Sequence, residues 1–283
     1  MTIAITGATG QLGRLAVAAL KARDPKADLV ALIRDPSKGA ELGIPARAFD
    51  YHKTAELAPA LAGVDVLVLI SSNDFNDRAG QHRAVIAAAK AAGVKRIIYT
   101  SILHADTTPM TILPADHKVT EAALLASGVA YTILRNGWYT ENYLGALGAA
   151  IEHGAMIGAA GTGKIASATR ADFAEAIAVT ALGAGHENKI YELAGDQAYT
   201  LADLAAEVAK QSGKPVAFVN MSQADYAKAL EGFGLPAGFA TVLADSDFSA
   251  SQGSLFDDSH TLSKLIGRPT TPLADAVKAA LAG

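Results

Sequence analysis

Short apolar runs alternate with alanine-rich stretches of helical character through the first half of the chain. The apolar runs predict strands over residues 3–6, 29–33, 46–49, 66–70, 96–100 and 131–134. The run at residues 66–70 is apolar at every position, which is typical of a strand covered on both faces. Strands that alternate with helices favour right-handed crossovers within one parallel sheet. The pattern therefore predicts an α/β fold with a doubly wound, Rossmann-like parallel sheet.

Composition narrows the classes of function. Charged residues make up 18% of the 283 residues, and the formal net charge of −4 arises from acidic and basic residues scattered along the chain. Scattered charge provides no polyanion-binding face, so we expect no nucleic-acid partner. The absence of cysteine excludes disulfides, thiolate catalysis and cysteine-ligated metal sites. Because no apolar run has the length of a membrane span and no cleavable leader is evident, we expect a cytoplasmic protein without a membrane partner.

A glycine-rich segment follows the first predicted strand directly, with the spacing G-x-x-G-x-x-G. Glycines allow the tight turn and the close backbone approach, and the first N–H groups of the next helix point at an anion. This predicts the pyrophosphate site of a dinucleotide, with an ordinary glycine-rich turn as the alternative. The candidate residues are Gly7, Ala8, Thr9, Gly10, Gln11, Leu12 and Gly13.

The regular alternation loosens after residue 134, and glycine and proline become frequent at residues 145–163 and 232–238. This change predicts a second, smaller α/β lobe. We expect a dinucleotide-binding, Rossmann-like domain over residues 1–134 and a smaller lobe for the substrate over most of residues 135–283. Some segments near residues 160–185 would return to the first domain.

Arg34 follows the second predicted strand, where an acidic residue is typical of NAD and a basic residue of NADP. Its guanidinium can pair with the adenosine 2′-phosphate, and Lys38 adds a second positive charge nearby. The sequence therefore favours NADPH. The alternatives are a salt bridge between Arg34 and Asp35, or an arginine that simply caps the strand on the surface. Asp50, after the third strand, is a candidate contact to the adenine amino group or a turn residue.

Polar residues also follow the fourth and fifth predicted strands, at the edge of the sheet where ligands lie in such folds. The candidates for a cofactor wall are Ser71, Ser72 and Asn73. Ser101 stands where short-chain dehydrogenases carry a catalytic hydroxyl. The next helix has His117 and Glu121 where those enzymes have a tyrosine and a lysine, so the usual proton donor is missing.

The missing proton donor constrains which compounds can accept a hydride from the cofactor. A simple ketone that accepts a hydride becomes a strongly basic alkoxide, whereas a quinone gives a delocalised phenolate-like anion that water can protonate. His117 is a candidate neutral donor; the alternative is a structural histidine–glutamate pair on a solvated helix face. No multi-ligand spacing of histidines and carboxylates occurs, so we expect no required metal.

A segment dense in aromatic and amide side chains follows the sixth predicted strand. Flat rings stack on flat acceptors, and amides can hydrogen-bond a carbonyl, so this segment is the predicted acceptor pocket; packing between the predicted lobes is the alternative. Arg170 is a candidate for closing the pocket. The residues predicted to contact the acceptor or the cofactor are Asn136, Gly137, Trp138, Tyr139, Asn142 and Arg170.

Longer strings of sequence carry a family resemblance. The segments at residues 7–13, 99–107 and 135–143, together with 164–170, 191–196 and 262–267, resemble the NmrA-like atypical short-chain dehydrogenase/reductases. The resemblance covers nearly the whole chain and implies reduction of quinones by NADPH without flavin or metal. It further implies that residues 7–13 and Arg34 hold the cofactor and that residues 136–142 lie near the acceptor. Residues 109–116, at the acceptor mouth, depart most from the family pattern.

Other functions stay open at this stage. NmrA-like proteins also include non-catalytic regulators that bind dinucleotides, and other conjugated acceptors such as dyes would suit the same chemistry. A homodimer is also open, and exposed aromatic surface in the second lobe would indicate one.

Overall fold

The computed structural model describes residues 1–74 and 76–282. Seven strands form a sheet with the order β3-β2-β1-β4-β5-β6-β8, and β7 and β9 form a separate parallel pair. The strands are β1 (Thr2–Thr6), β2 (Asp28–Ile33), β3 (Ala46–Ala48), β4 (Val66–Leu69), β5 (Arg96–Ile102), β6 (Ala130–Asn136), β7 (Ala155–Gly158), β8 (Lys189–Leu193) and β9 (Ala217–Asn220). The predicted doubly wound α/β fold is confirmed.

Helices connect and follow the strands. They are α1 (Gln11–Arg23), α2 (Thr54–Ala60), α3 (Arg78–Ala91), α4 (Leu113–Ser127), α5 (Glu141–Leu144), α6 (Leu147–His153), α7 (Arg170–Leu182), α8 (Leu201–Ser212), α9 (Gln223–Gly232), α10 (Ala237–Ala250), α11 (Thr261–Ile266) and α12 (Leu273–Leu281). A 3-10 helix spans Pro36–Leu42. Within the described residues, no helix combines the length and the apolar content needed to cross a membrane.

The centre of the sheet is apolar on both faces because helices cover both sides. β1 pairs in parallel with β2 and with β4, and every residue of β4 and β5 is buried. Strands β5 and β6 run two residues further than the sequence predicts, and their register continues to the pair Ile102 and Asn136. Ser101 therefore lies inside a strand, in register with Arg135.

The chain forms two compact units. The first contains Met1–Ile102, Asp116–Asn136 and Arg170–Tyr191, and the second contains Leu103–Ala115, Gly137–Thr169 and Glu192–Gly283. The sequence gives no sign that residues 103–115 leave the first unit. The predicted boundary near residue 134 remains a prediction.

Candidate functional site

The glycine cradle, residues 7–13, joins β1 to α1. Gly7 has φ of +60°, a left-handed conformation that favours glycine, and the Gly10 N–H donates to the Gly7 carbonyl at 2.9 Å. A Cβ on Gly13 would lie 2.1 Å from the Gly7 oxygen, so only glycine fits at that position. Gly10 is the N-cap of α1, has no side-chain cap, and no acidic residue lies in the first turn. The first N–H groups of α1 are thus left for an anion, which fits a pyrophosphate.

The remaining cradle residues divide between core and surface. Ala8 and Leu12 are buried, Thr9 is half-buried and Gln11 is exposed. Arg14, which the sequence interpretation missed, donates from Nε to the Thr9 carbonyl at 2.9 Å. Its Nη1 also lies 2.9 Å from Glu41 Oε2, in an exposed ion pair. Arg14 therefore links the cradle to the 3-10 helix.

Arg34 directly follows β2 and is exposed, as is Lys38. The alternative salt bridge between Arg34 and Asp35 is wrong, because Asp35 accepts instead from the N–H and the hydroxyl of Ser37, at 3.1 and 2.7 Å. These bonds from Ser37 lower the pKa of Asp35 and hold it at the start of the 3-10 helix. In the described part of the chain, Arg34 has no ion-pair partner, which suits a residue reserved for a 2′-phosphate.

The other predicted cofactor residues of the first unit lie in turns. Asp50 accepts from the His52 N–H at 3.1 Å, the turn role that the sequence left as an alternative. The Ser71 N–H donates to Thr100 Oγ1 at 2.9 Å, and the Ser72 N–H donates to His82 Nε2 at 3.0 Å. Asn73 is exposed beside them. The segment after β4 is therefore fixed mainly through its backbone.

Ser101, Glu121 and Arg135 form a hydrogen-bonded cluster, called here the Glu121 cluster. Ser101 Oγ donates to Glu121 Oε1 at 2.5 Å, and Arg135 donates to both carboxylate oxygens, at 3.0 Å from Nε and 2.7 Å from Nη2. All three residues are buried. Glu121 on α4 thereby binds the adjacent ends of β5 and β6. Its partners are protein groups, so the Ser101 hydroxyl is already used.

His117 and Glu121 do not lie on a solvated face, contrary to the structural alternative from the sequence, because both are buried. His117 Nδ1 lies 2.7 Å from the Tyr99 hydroxyl, and His82 Nδ1 lies 3.0 Å from Thr120 Oγ1. Burial lowers the pKa of each histidine to about 3, so both rings are neutral. The pairing and burial of His117 and Ser101 favour a structural role for these two predicted catalytic residues.

The predicted acceptor segment starts where β6 ends. Asn136 is buried, Asn142 in α5 is exposed, and Arg170 is the first residue of α7. Tyr139 is half-buried and forms a backbone bridge with Ala168. These placements leave their predicted roles untested.

Gly137 and Trp138 are the first two residues of the predicted acceptor segment that belong to the second unit. The Gly137 N–H donates to the Leu193 carbonyl at 2.7 Å, and a Cβ on Gly137 would lie 2.9 Å from that oxygen. The Trp138 and Tyr143 ring centroids are 6.5 Å apart. The Trp138 indole N–H is buried and has no hydrogen-bond acceptor among the described residues. A buried donor of this kind is costly, which suits a ligand-binding surface.

No group of three or more histidine or carboxylate side chains suited to a metal ion occurs among the residues described.

Known proteins match nearly the whole chain. Residues 7–183 match the NAD(P)H-binding family. The chain is 59% identical to quinone oxidoreductase 2 of Escherichia coli K12 over 278 residues, 97% of each chain. A crystal structure of NADPH-dependent quinone oxidoreductase from Escherichia coli complexed with NADPH has a TM-score of 0.96, with 58% identity and 99% of both chains covered. Citrobacter triphenylmethane reductase complexed with NADP(H) has a TM-score of 0.93 and 37% identity, covering 98% of this chain and 99% of that one.

The family match spans the glycine cradle and Arg34 and covers more than half of the chain. It agrees with the dinucleotide site expected from the sequence and with the geometry of the cradle. The chain therefore belongs to the NAD(P)H-binding family.

Proposed function

We propose that this protein is an NADPH-dependent oxidoreductase that transfers a hydride directly to quinones, without flavin or metal. The observation that carries the proposal is the pairing of an uncapped glycine cradle with an exposed Arg34 that has no ion-pair partner among the described residues. The 59% identity to a quinone oxidoreductase supports the choice of acceptor.

The cradle would hold the pyrophosphate through the N–H groups at the start of α1, and Arg34 with Lys38 would hold the 2′-phosphate. We propose that Asp50, Ser71, Ser72 and Asn73 line the rest of the cofactor site. When bound, NADPH would supply a hydride from its nicotinamide ring. The protein contributes position and orientation.

The acceptor would contact Asn136, Trp138 and Tyr139, with Gly137, Asn142 and Arg170 near the cofactor. The Trp138 indole N–H is a donor that a quinone carbonyl could accept from. Ser101 is hydrogen-bonded to Glu121 and His117 to Tyr99, so neither side chain is left to deliver a proton. A quinone suits such a site, because its reduced anion is delocalised and can take a proton from water.

Reduction of other conjugated acceptors is a second candidate. The 37% identity to a triphenylmethane reductase over nearly the full chain favours it. Planar dyes share with quinones the flat, delocalised structure that aromatic side chains bind.

A turnover assay tests the proposal. Purified protein would be mixed with NADPH or NADH and with small benzoquinones, naphthoquinones or triphenylmethane dyes, and dinucleotide oxidation would be followed by absorbance. We expect quinone-dependent oxidation of NADPH in preference to NADH. Tight NADPH binding without oxidation by any acceptor would instead support a dinucleotide-sensing regulator.

A cytoplasmic location and a homodimer also belong to this proposal. Phe233, Phe239 and Phe248 in the second unit are exposed, which supports the dimer. Cell fractionation and size-exclusion chromatography test the two points.

A further inference from the structure

Helix α10 carries two buried carboxylates, Asp245 and Asp247, each with 4% of its surface exposed. Residues two positions apart on a helix do not share a face, so the two side chains meet different neighbours. Within the described residues, neither carboxylate forms an ion pair with a lysine or arginine. Such groups are expensive to bury unless neutral donors compensate them.

Asp245 binds the segment that precedes α4. Its Oδ2 accepts from the Thr111 and Ile112 N–H groups, both at 3.0 Å, and its Oδ1 accepts from Thr111 Oγ1 at 2.8 Å. The neighbouring Ser246 hydroxyl lies 3.8 Å from the sulfur of Met110. Residues 110–112 are thus fixed by α10.

Asp247 binds two other segments of the second unit, at Ala159 and Tyr143. Its Oδ2 accepts from the Ala159 N–H at 2.5 Å, and its Oδ1 accepts from the Tyr143 hydroxyl at 3.1 Å. A Cβ on Gly158 would lie 2.6 Å from Asp247 Oδ2, so the Gly158 backbone lies closer to this carboxylate than a residue with a side chain would allow. Burial raises the pKa of Asp247, and the bonds from Ala159 and Tyr143 oppose that shift. Tyr143 is the aromatic neighbour of Trp138.

We propose that Asp245 and Asp247 are positioning residues for the acceptor: α10 holds residues 110–112 and Tyr143 in place and thereby sets which acceptors fit beside Trp138. The inference rests on the proposed function, which assigns the acceptor to this segment. Because both carboxylates bind segments of the second unit, they would govern acceptor binding and leave the cradle of the first unit untouched.

The test uses Asp247→Asn and Asp245→Asn, with Asp225→Asn as the matched control. Asn keeps the size of Asp but turns an NH₂ donor toward groups that are themselves donors. Asp225 is an exposed residue in the first turn of α9, where it accepts from the Ser222 hydroxyl. Circular dichroism would establish that each variant is folded.

The first measurement is the fluorescence of Trp138, the single tryptophan of the chain. Asp247→Asn frees Tyr143 from its acceptor, so we expect a red shift of the emission and stronger quenching by acrylamide. Asp225→Asn should match the unmodified protein. This readout needs no turnover.

The second measurement is steady-state kinetics with NADPH and quinones of increasing size. Loss of a hydrogen bond to a charged group corresponds to about tenfold in an equilibrium constant, so we expect the quinone KM of Asp247→Asn and of Asp245→Asn to rise by about that factor. The NADPH dissociation constant should stay within about twofold, and the rise should differ between small and large quinones.

Unchanged fluorescence together with an unchanged quinone KM in folded Asp247→Asn would overturn the inference. An equal loss of NADPH affinity and quinone affinity would also overturn it, since that result indicates general loosening. A different result is that none of the quinones supports NADPH oxidation by the unmodified chain, although Asp247→Asn still shifts the Trp138 fluorescence. The proposed function would then fail, and the hold of α10 on Tyr143 would be supported.

Discussion

Two polar regions of the first unit, the glycine cradle with Arg34 and the Glu121 cluster, differ in where their hydrogen bonds go. At the start of α1 the backbone N–H groups have no side-chain cap, and Arg34 is exposed with no ion-pair partner among the described residues. In the Glu121 cluster, the serine hydroxyl and the arginine both donate to one buried carboxylate. Groups left unsatisfied indicate binding, whereas groups satisfied inside the fold indicate architecture.

The largest effect is expected from breaking the Glu121 cluster. Glu121→Gln removes the negative charge that the buried Arg135 guanidinium faces at 2.7 Å, so we expect the free energy of unfolding to fall by about 3–5 kcal/mol. Urea denaturation measures this change. The double variant Glu121→Leu with Arg135→Met removes both charges and should recover most of the loss.

The exposed pair of Arg14 and Glu41 provides the matched control. Its atoms are 2.9 Å apart, close to the 2.7 Å of the buried pair, but 46% and 72% of the two side chains are exposed. Glu41→Gln should therefore change the free energy of unfolding by less than about 1 kcal/mol. Equal losses in the two variants would contradict the comparison, because burial would then not distinguish the pairs.

Arg34 tests the other region, the glycine cradle with Arg34. Arg34→Asp replaces a cation by an anion, so we expect NADPH binding to weaken by about 1.5–3 kcal/mol, while NADH binding changes little. Titration of dinucleotide fluorescence gives both affinities. Lys26→Asp makes the same change of charge at an exposed position before β2 and should leave the NADPH preference intact. A retained preference in Arg34→Asp would exclude the 2′-phosphate role.

The sequence predicts the sheet and the cradle well because their signals are local. Apolar runs mark six of the seven strands of the sheet, and β8 (Lys189–Leu193) was missed. The spacing of Gly7, Gly10 and Gly13 is visible within a few residues. The Glu121 cluster depends instead on β6 lying beside β5, which brings Arg135 next to Ser101. Position alone made Ser101 a catalytic candidate, and only the fold shows that its hydroxyl donates a hydrogen bond to the Glu121 carboxylate.

The hydrogen bonds by which α10 holds residues 111 and 112 could not be predicted from sequence for the same reason. Asp245 and Thr111 are separated by 134 positions, and neither lies in a recognisable motif. The excursion of residues 103–115 into the second unit, which brings Thr111 near α10, left no trace in the apolar pattern.

The two buried histidines make the stability of the first unit depend on pH. The pKa of His82 and of His117 is about 3 in the folded chain against an ordinary 6.5, so between these values only the unfolded chain takes up the protons. Stability is then lost as the pH falls, by about 2 kcal/mol for each histidine between pH 7 and pH 5. Urea unfolding at the two pH values measures the loss.

His117→Gln should remove the share of His117 from this pH dependence and leave that of His82. His153→Gln, at an exposed position in α6, serves as the control and should behave like the unmodified chain. A pH dependence that is equally steep in His117→Gln would show that the histidine is not held neutral by burial.

The smallest effect on stability and turnover is expected from a substitution of Ser101. It tests most directly whether the Glu121 cluster serves the fold or the reaction. In a short-chain dehydrogenase of the usual kind this hydroxyl assists proton transfer, a contribution worth roughly 10²–10⁴ in rate. Here the hydroxyl donates to Glu121, which keeps both bonds from Arg135 when the serine is removed. Ser101→Ala should therefore lower the free energy of unfolding by about 1.5 kcal/mol. Quinone turnover should fall by less than about threefold, since the lost bond serves the fold and proton transfer does not depend on it. A hundredfold loss of turnover in a stable Ser101→Ala variant would mean that the cluster opens during the reaction and that Ser101 acts on the acceptor.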